Sequence, residues 1–182
     1  MKDPMYKLFP EVPVISSDRI TLRALADADA DDLYAFAHNE EVYRYLPTFL
    51  FEQKYDDIHY VIAHLYDECL EESLILGVFE NASGRFAGLS EFYGYKEAVD
   101  LVSIGCRLLP DFWGKGITTE VVRLMVEYLQ TQTKVATIQA STMMENTAAG
   151  RTVQKNGFTL VASNSPEDWG YPDPTPSNKW IR

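Results

Sequence analysis

Between Leu74 and Leu108 the chain runs through successive strand-length apolar segments with no room for a helix between them, and a long amphipathic segment follows. The strands are Leu74–Glu80, Arg85–Tyr93 and Val99–Leu108, with Asn81-Ala82-Ser83-Gly84 turning the first two into a hairpin. Connections this short impose antiparallel pairing. From Thr118 to about Gln132, Val121, Val122, Met125, Val126 and Leu129 recur at helical spacing, and Val135–Ser141 is then another strand. A strand, a helix and a strand in succession make a parallel crossover. The order predicts an α/β or α+β fold with a mixed sheet, antiparallel where hairpins dominate and parallel where a helix crosses over.

The flanks extend this pattern. Ile20-Thr21-Leu22-Arg23 alternates as a first strand, and a helix follows with Asp27 or Asp29 as N-cap and Leu33, Phe36 and Ala37 inward. Ile58, Val61, Ile62, Leu65 and Cys69 form one apolar helical stripe whose other face is acidic, with Asp56, Asp57, Asp67, Glu68, Glu71 and Glu72. A short helix over Thr147–Asn156 ends at Gly157, placed where a left-handed residue closes a helix, and Phe158–Ala162 starts the next strand. The tail holds Pro166, Pro172, Pro174 and Pro176, so 163–182 is expected to be an irregular loop with Lys179–Arg182 returning as a last strand. One domain over 1–182, its core at about 16–162, is the expectation at this length.

Charge is unevenly divided. Residues 1–91 carry 18 acidic and 7 basic side chains, a balance of −11, and residues 92–182 carry 9 of each, a balance of zero. Such a chain is poorly suited to nucleic acid, whose binding rests on phosphate neutralisation by Lys and Arg. No segment approaches the run of about 18 apolar residues that spans a bilayer, and the N-terminal residues have no signal-peptide h-region, so no membrane partner is expected. Cys69 and Cys106 sit in apolar surroundings and read as reduced thiols of a cytoplasmic protein. His38, His59 and His64 lack metal-ligand spacing, so no metal is expected.

Gly114-Lys115-Gly116-Ile117-Thr118-Thr119 lies where a strand gives way to a helix. Two glycines allow close backbone approach, and the unpaired first N–H groups of a helix, with its dipole, favour a phosphate. A Walker loop is ruled out, since no glycine stands five residues before a Gly-Lys pair followed by Ser or Thr. A dinucleotide fingerprint fails too, with Thr119 where the third glycine belongs. A turn that binds nothing remains open on this segment alone.

About thirty residues on, Glu145-Asn146-Thr147-Ala148-Ala149-Gly150-Arg151-Thr152-Val153-Gln154-Lys155-Asn156-Gly157-Phe158 adds a second motif. Trp113 through Glu120 resembles the pyrophosphate loop of the GNAT superfamily of acetyl-CoA-dependent N-acetyltransferases, and Asn146 through Phe158 resembles its second cofactor motif. Ser17-Asp18-Arg19-Ile20-Thr21-Leu22-Arg23 and Glu41-Val42-Tyr43-Arg44-Tyr45-Leu46-Pro47 are similar to segments of the RimJ/RimL-like branch, named for ribosomal-protein N-terminal acetyltransferases.

The resemblance implies a GNAT fold: a mostly antiparallel sheet of six to seven strands, flanked by about four helices and splayed between the fourth and fifth strands, Val99–Leu108 and Val135–Ser141. It implies acetyl-CoA as co-substrate, with Trp113, Gly114, Lys115, Gly116, Ile117, Thr118 and Thr119 at its pyrophosphate. Cys106, Arg107 and Leu108 would lie along its pantetheine arm, Asn146 near its sulfur, and Arg151 and Lys155 close by. Asn146 also suits the helix as an N-cap.

Two departures bear on catalysis. Ala149 stands where the branch often has Ser, and Val153 where many GNAT enzymes have Tyr, so neither hydroxyl is there to assist the leaving thiolate. Glu91 is the first candidate for the base that deprotonates the amine, Glu120 the second, and Ser141 and Tyr93 are candidate hydroxyl donors. The expected activity is acetyl transfer to a primary amine (a protein N-terminus, a polyamine or another small amine) by direct attack in a ternary complex. A catalytically silent acyl-CoA-binding module is the alternative. The acidic excess predicts a cationic acceptor entering over Asp27–Glu72, and a homodimer is left open.

Overall fold

The computed structural model describes residues 6–67 and 73–182. Among them one sheet of eight strands has the order β1-β2-β3-β4-β5-β6-β8-β7. The strands are β1 (Ile15–Ser16), β2 (Ile20–Arg23), β3 (Leu74–Glu80), β4 (Phe86–Lys96), β5 (Leu101–Leu108), β6 (Thr137–Met143), β7 (Thr159–Glu167) and β8 (Thr175–Ile181). Every neighbouring pair is antiparallel except β5 with β6, the two strands joined through a helix. The helices are α1 (Ala30–Ala37), α2 (Glu40–Tyr43), α3 (Ile58–His64), α4 (Ile117–Gln132) and α5 (Thr147–Lys155).

The two faces of the sheet explain its apolar pattern. Leu74, Leu76 and Val78 pack with Val121, Met125 and Leu129 of α4, while Ile75 and Phe79 pack with Leu33 and Phe36 of α1 and Val61 of α3. β3 is covered on both sides, which is why its sequence is continuously apolar instead of alternating. Among the described residues no helix is long and apolar enough to cross a membrane.

Three local expectations change. Asp29 holds the expected N-cap position of α1 but its side chain makes no capping bond, because the carboxylate accepts from two Arg23 guanidinium nitrogens at 2.9 and 3.1 Å and from Ala26 N at 2.8 Å. Burial pulls the Asp29 pKa upward, but these bonds and the Arg23 charge outweigh it and the net shift is downward. α3 ends at His64, and Cys69, Glu68, Glu71 and Glu72 lie outside the described residues.

The third change is the tail. Where the prolines predict an irregular loop, β7 and β8 form a hairpin in which Pro166 stands opposite Pro176. β7 is an edge strand, so Pro166 breaks no ladder there, and Pro176 lies one residue beyond the last partner of β6, Ser177. With Ile15–Ser16, this hairpin raises the strand count from the expected six or seven to eight. The irregular part shrinks to 168–174.

Candidate functional site

β5 and β6 pair only over Leu101–Ser103 and Thr137–Gln139. Beyond that point β6 keeps β8 as its partner through Met143, while Ile104–Leu108 of β5 continue away from it. The parting is the expected splay between the fourth and fifth predicted strands. A cleft of about 260 Å³ occupies it, walled by Ile104–Arg107 on one side and Ala140–Met143 on the other.

The cleft reaches the first turn of α4, where Thr118 and Val122 line it, and the glycine turn lies just before that helix. After a 3-10 turn at Pro110–Phe112, Gly114 and Gly116 both take left-handed backbone, at φ 69° and 76°. Gly116 is the N-cap of α4 and no side chain caps that helix, so its first N–H groups stay available. Ile117 is buried as the anchor, and Thr118 faces the cleft. Trp113 is half exposed and its indole donates to Leu108 O at 2.8 Å, which occupies a carbonyl of the segment expected along the pantetheine arm. Leu108 itself is buried in the core. Asn156 donates to Thr119 O at 3.1 Å, fixing α5 to the start of α4.

A cation not singled out from the sequence stands beside this turn. Arg19 donates to Lys115 O at 2.9 Å and pairs with Glu120 at 3.2 Å, with its own side chain half exposed. Glu120 also accepts from the Ser17 hydroxyl. The second candidate base is therefore engaged with the N-terminal strands and does not line the cleft.

α5 supplies the opposite flank. The Asn146 side chain accepts from Ala149 N at 3.2 Å, so it caps the helix, and it also lines the cleft. Ala149 and Val153 line it as well, and Thr152 between them is a hydroxyl the sequence reading passed over. Arg151 and Lys155 are exposed on the outer side of the helix.

At the floor, Arg107 is 4% exposed and donates bidentately to Glu52 at 2.6 and 2.9 Å and to Glu91 at 3.0 Å. Burial disfavours its charge, but Glu52 and Glu91 more than compensate and shift its pKa further up. Tyr43 donates to Glu52 at 3.0 Å, and burial followed by the Glu52 charge raises the phenol's pKa. The Arg107 guanidinium is thus enclosed between protein carboxylates, while the residue as a whole lines the cleft. Glu91 lines the cleft at 19% exposure and shares Arg107 with the buried Glu52. Cys106 lines it too, but burial pushes its thiol up to about 12, too high for a nucleophile near neutral pH. Tyr93 is held protonated by burial and by the charges of Glu91 and Glu167.

The remaining wall joins two distant segments. Tyr45, Leu46, Pro47, Phe49 and Leu50 face Glu167, Asp168 and Trp169. Thr48 N and its hydroxyl donate to Trp169 O at 2.9 and 3.2 Å, and the Tyr171 hydroxyl donates to Leu46 O at 2.8 Å. Gly170 has φ 82°, and a Cβ there would fall 2.0 Å from Thr48 Oγ1. Glu167 accepts from Lys179, from Ser177 at 2.5 Å and from Trp169 at 3.0 Å. Burial raises the Glu167 pKa, but these donors outweigh it and the net shift is downward. Ser141 accepts from Lys179 at 3.1 Å and donates to Glu167 at 3.4 Å, with its hydroxyl in the cleft.

The acidic excess is placed differently from expectation. Among the described residues of 27–67, the segment that lines the cleft is apolar and aromatic, and Glu52 lies buried behind it. The lining carboxylates are Glu91, Glu167 and Asp168, two of them from the neutral half of the sequence. Among the described residues no three His, Cys, Asp or Glu side chains gather as a metal site would need.

The model of the acetyltransferase (GNAT) domain family matches residues 19–159. An uncharacterised N-acetyltransferase of Bacillus subtilis, YoaA, is 27% identical over 148 residues, which is 80% of this chain and 82% of that protein. Among solved structures, a GNAT-family acetyltransferase from Bacillus anthracis superposes with a TM-score of 0.79 at 18% identity, covering 93% of this chain and 98% of that one. RimL, a ribosomal-protein α-N-acetyltransferase in complex with coenzyme A, gives 0.78 at 17% identity over 93% and 97%. At these identities the structural likeness is one of fold.

Proposed function

The chain belongs to the GNAT acetyltransferase family, and from that premise we propose that it transfers the acetyl group of acetyl-CoA to a primary amine by direct attack in a ternary complex. The observation that carries this reading is the parting of β5 from β6 after Ser103, beside an uncapped helix N-terminus approached through two left-handed glycines. An extended arm can run along the freed edge of β5 while a pyrophosphate meets the N–H groups of Gly116–Thr119. Among the described residues no side chain stands within 4 Å of where a Cβ on Gly114 would lie, so the approach there is open.

In this reading Gly114, Lys115, Gly116, Ile117, Thr118 and Thr119 hold the pyrophosphate, and Arg19 adds charge at the same turn. The backbone of Gly105–Arg107 and the Asn146 amide aim the thioester, so the main gain comes from proximity and from N–H groups facing the developing oxyanion. As the C–N bond forms and the C–S bond breaks, Glu91 takes the amine proton and the coenzyme departs as thiolate. Thr152 is a cleft hydroxyl able to donate to that sulfur where Ala149 and Val153 cannot, and Ser141 can do so on giving up its bond to Glu167. The similarity of the Ser17–Arg23 and Glu41–Pro47 segments supports placement in the RimJ/RimL-like branch, and a donor of this kind supports a cytoplasmic site of action.

The test is calorimetric titration with acetyl-CoA, followed by thiol release with a panel of amines and peptides, run beside Glu91→Gln. Micromolar binding and turnover that falls at least tenfold in Glu91→Gln are expected. A protein that does not bind acetyl-CoA rejects the reading. Binding without release on any amine leaves the silent acyl-CoA module that the missing Ser and Tyr would suit.

A further inference from the structure

Resting on that reading, we infer that the acceptor is a small primary amine carried on an apolar body, aromatic or unbranched aliphatic, with no second cationic centre. Besides the two strands and α5, the cleft is walled by Tyr45, Leu46, Pro47, Phe49, Leu50 and Trp169. Trp169 is 7% exposed and forms the inner surface, while Phe49 is 61% exposed at the rim, a large apolar side chain left facing solvent next to a cavity. The bonds from Thr48 to Trp169 O and from Tyr171 to Leu46 O close these two segments onto each other, so the wall is one continuous surface. A cavity of about 260 Å³ that must also take the acetyl-bearing end of the arm leaves room for a small acceptor.

The charges argue against a polycation. Of the lining carboxylates, Glu91 is paired with Arg107 and Glu167 with Lys179. Among the described residues Asp168 has no ion pair, and it sits at the exposed rim with one oxygen taken by Gly170 N at 2.9 Å. A polyamine would lose water from several ammonium groups against carboxylates already compensated, which is unfavourable. An amine with an apolar body has the opposite balance. Its body removes aromatic and aliphatic surface from water, and desolvation of its single ammonium favours the neutral form, which is the nucleophile.

The experiment compares 2-phenylethylamine, hexylamine, spermidine and a lysine-free peptide with a free N-terminus, each with saturating acetyl-CoA. A second readout, independent of turnover, is quenching of tryptophan fluorescence when 2-phenylethylamine is titrated into the CoA-loaded protein. For 2-phenylethylamine, kcat/KM at least about tenfold above spermidine and above the peptide is expected, with a KM that hardly changes with salt. Quenching should be saturable and should disappear in Trp169→Phe, which removes the reporter while keeping an apolar wall. Phe49→Ala should raise the KM for 2-phenylethylamine about five- to tenfold while the acetyl-CoA Kd stays within twofold. Preference for spermidine or the peptide, or a KM that climbs steeply with salt, overturns the inference and leaves the acetyltransferase reading standing. Bound acetyl-CoA with neither quenching nor turnover of 2-phenylethylamine also overturns it. Failure to bind acetyl-CoA would reject the underlying reading first.

Discussion

The two ends of the cleft are made in different ways. The end proposed for the coenzyme comes from two short contiguous stretches, Gly114–Thr119 and Asn146–Val153, each at the start of a helix. The end proposed for the acceptor is assembled from residues 45–50 and 167–171, joined by bonds between positions 121 and 125 residues apart. A site written in one local turn is fixed by backbone geometry that few residues can supply. A site built across long separation depends on a set of side-chain and loop contacts that can change without disturbing the turn. That difference allows one coenzyme end to be combined with many acceptor walls.

The most damaging substitution should be at the residue that ties the two ends together. Arg107 sits on β5 at the cleft and holds Glu52 of the Phe51–Gln53 turn, which follows directly on the acceptor wall. Arg107→Met leaves Glu52, 2% exposed, without its counter-ion, and a loss of about 3–5 kcal/mol in urea denaturation is expected. A loss below 1 kcal/mol would mean that the two ends are not mechanically joined there.

Two glycine substitutions should then separate the ends. Gly170→Ala forces a Cβ against Thr48 at a left-handed position, costing about 1–2 kcal/mol and opening the clasp. The KM for the amine should rise about tenfold while the acetyl-CoA Kd moves less than twofold. Gly116→Ala carries similar backbone strain, but the nearest atom to its Cβ, Arg19 Nη1, is 3.9 Å away, so packing is unaffected. Here the acetyl-CoA Kd should rise and the amine KM should not. If both variants alter both constants, the cleft behaves as one unit and the contrast between its ends is lost.

The same contrast decides what was legible in the sequence. The order of strands and helices, the glycine turn and the second motif are local patterns, and they lead to the mixed sheet, its splay and the end proposed for the coenzyme. Arg107 reads only as a residue along the pantetheine arm, because nothing near it in sequence shows Glu52, 55 residues earlier. Glu120 reads as a candidate base because its partners Ser17 and Arg19 come from the far end of the chain. The proline-rich tail read as a loop because prolines disfavour central strands, whereas β7 is an edge strand that accepts them. Trp169 and Asp168 were lost with it. The charge split does not predict the lining, since fold topology and not sequence half decides which carboxylates meet the cleft.

A smaller effect is expected at Asn146, which caps α5 and also lines the cleft. Asn146→Ala should cost about 1 kcal/mol of stability by leaving Ala149 N without its acceptor. Asn146→Asp restores the cap with a negative charge. If the acetyl-CoA Kd recovers with the cap, the residue matters through the helix. If it stays weakened while stability returns, the amide itself serves the coenzyme.

The smallest expected effect tests how firmly the acceptor wall is anchored through Glu167. Its pKa is lowered in the fold, since Lys179, Ser177 and Trp169 outweigh burial. A lowered folded value means that the carboxylate's contribution is fully present above the ordinary value of 4.5 and is lost as pH falls through the folded value. Wild type and Glu167→Gln should therefore differ, by on the order of 1 kcal/mol or less, at pH 6 to 7, and the difference should shrink toward zero as the solution is acidified below about 4. The measurement is the denaturation midpoint of both proteins across that range. A difference that persists undiminished in acid would mean that Glu167 holds the hairpin by its shape and hydrogen bonds, with no part for its charge, and that the wall it supports is insensitive to the ionic conditions under which the acceptor binds.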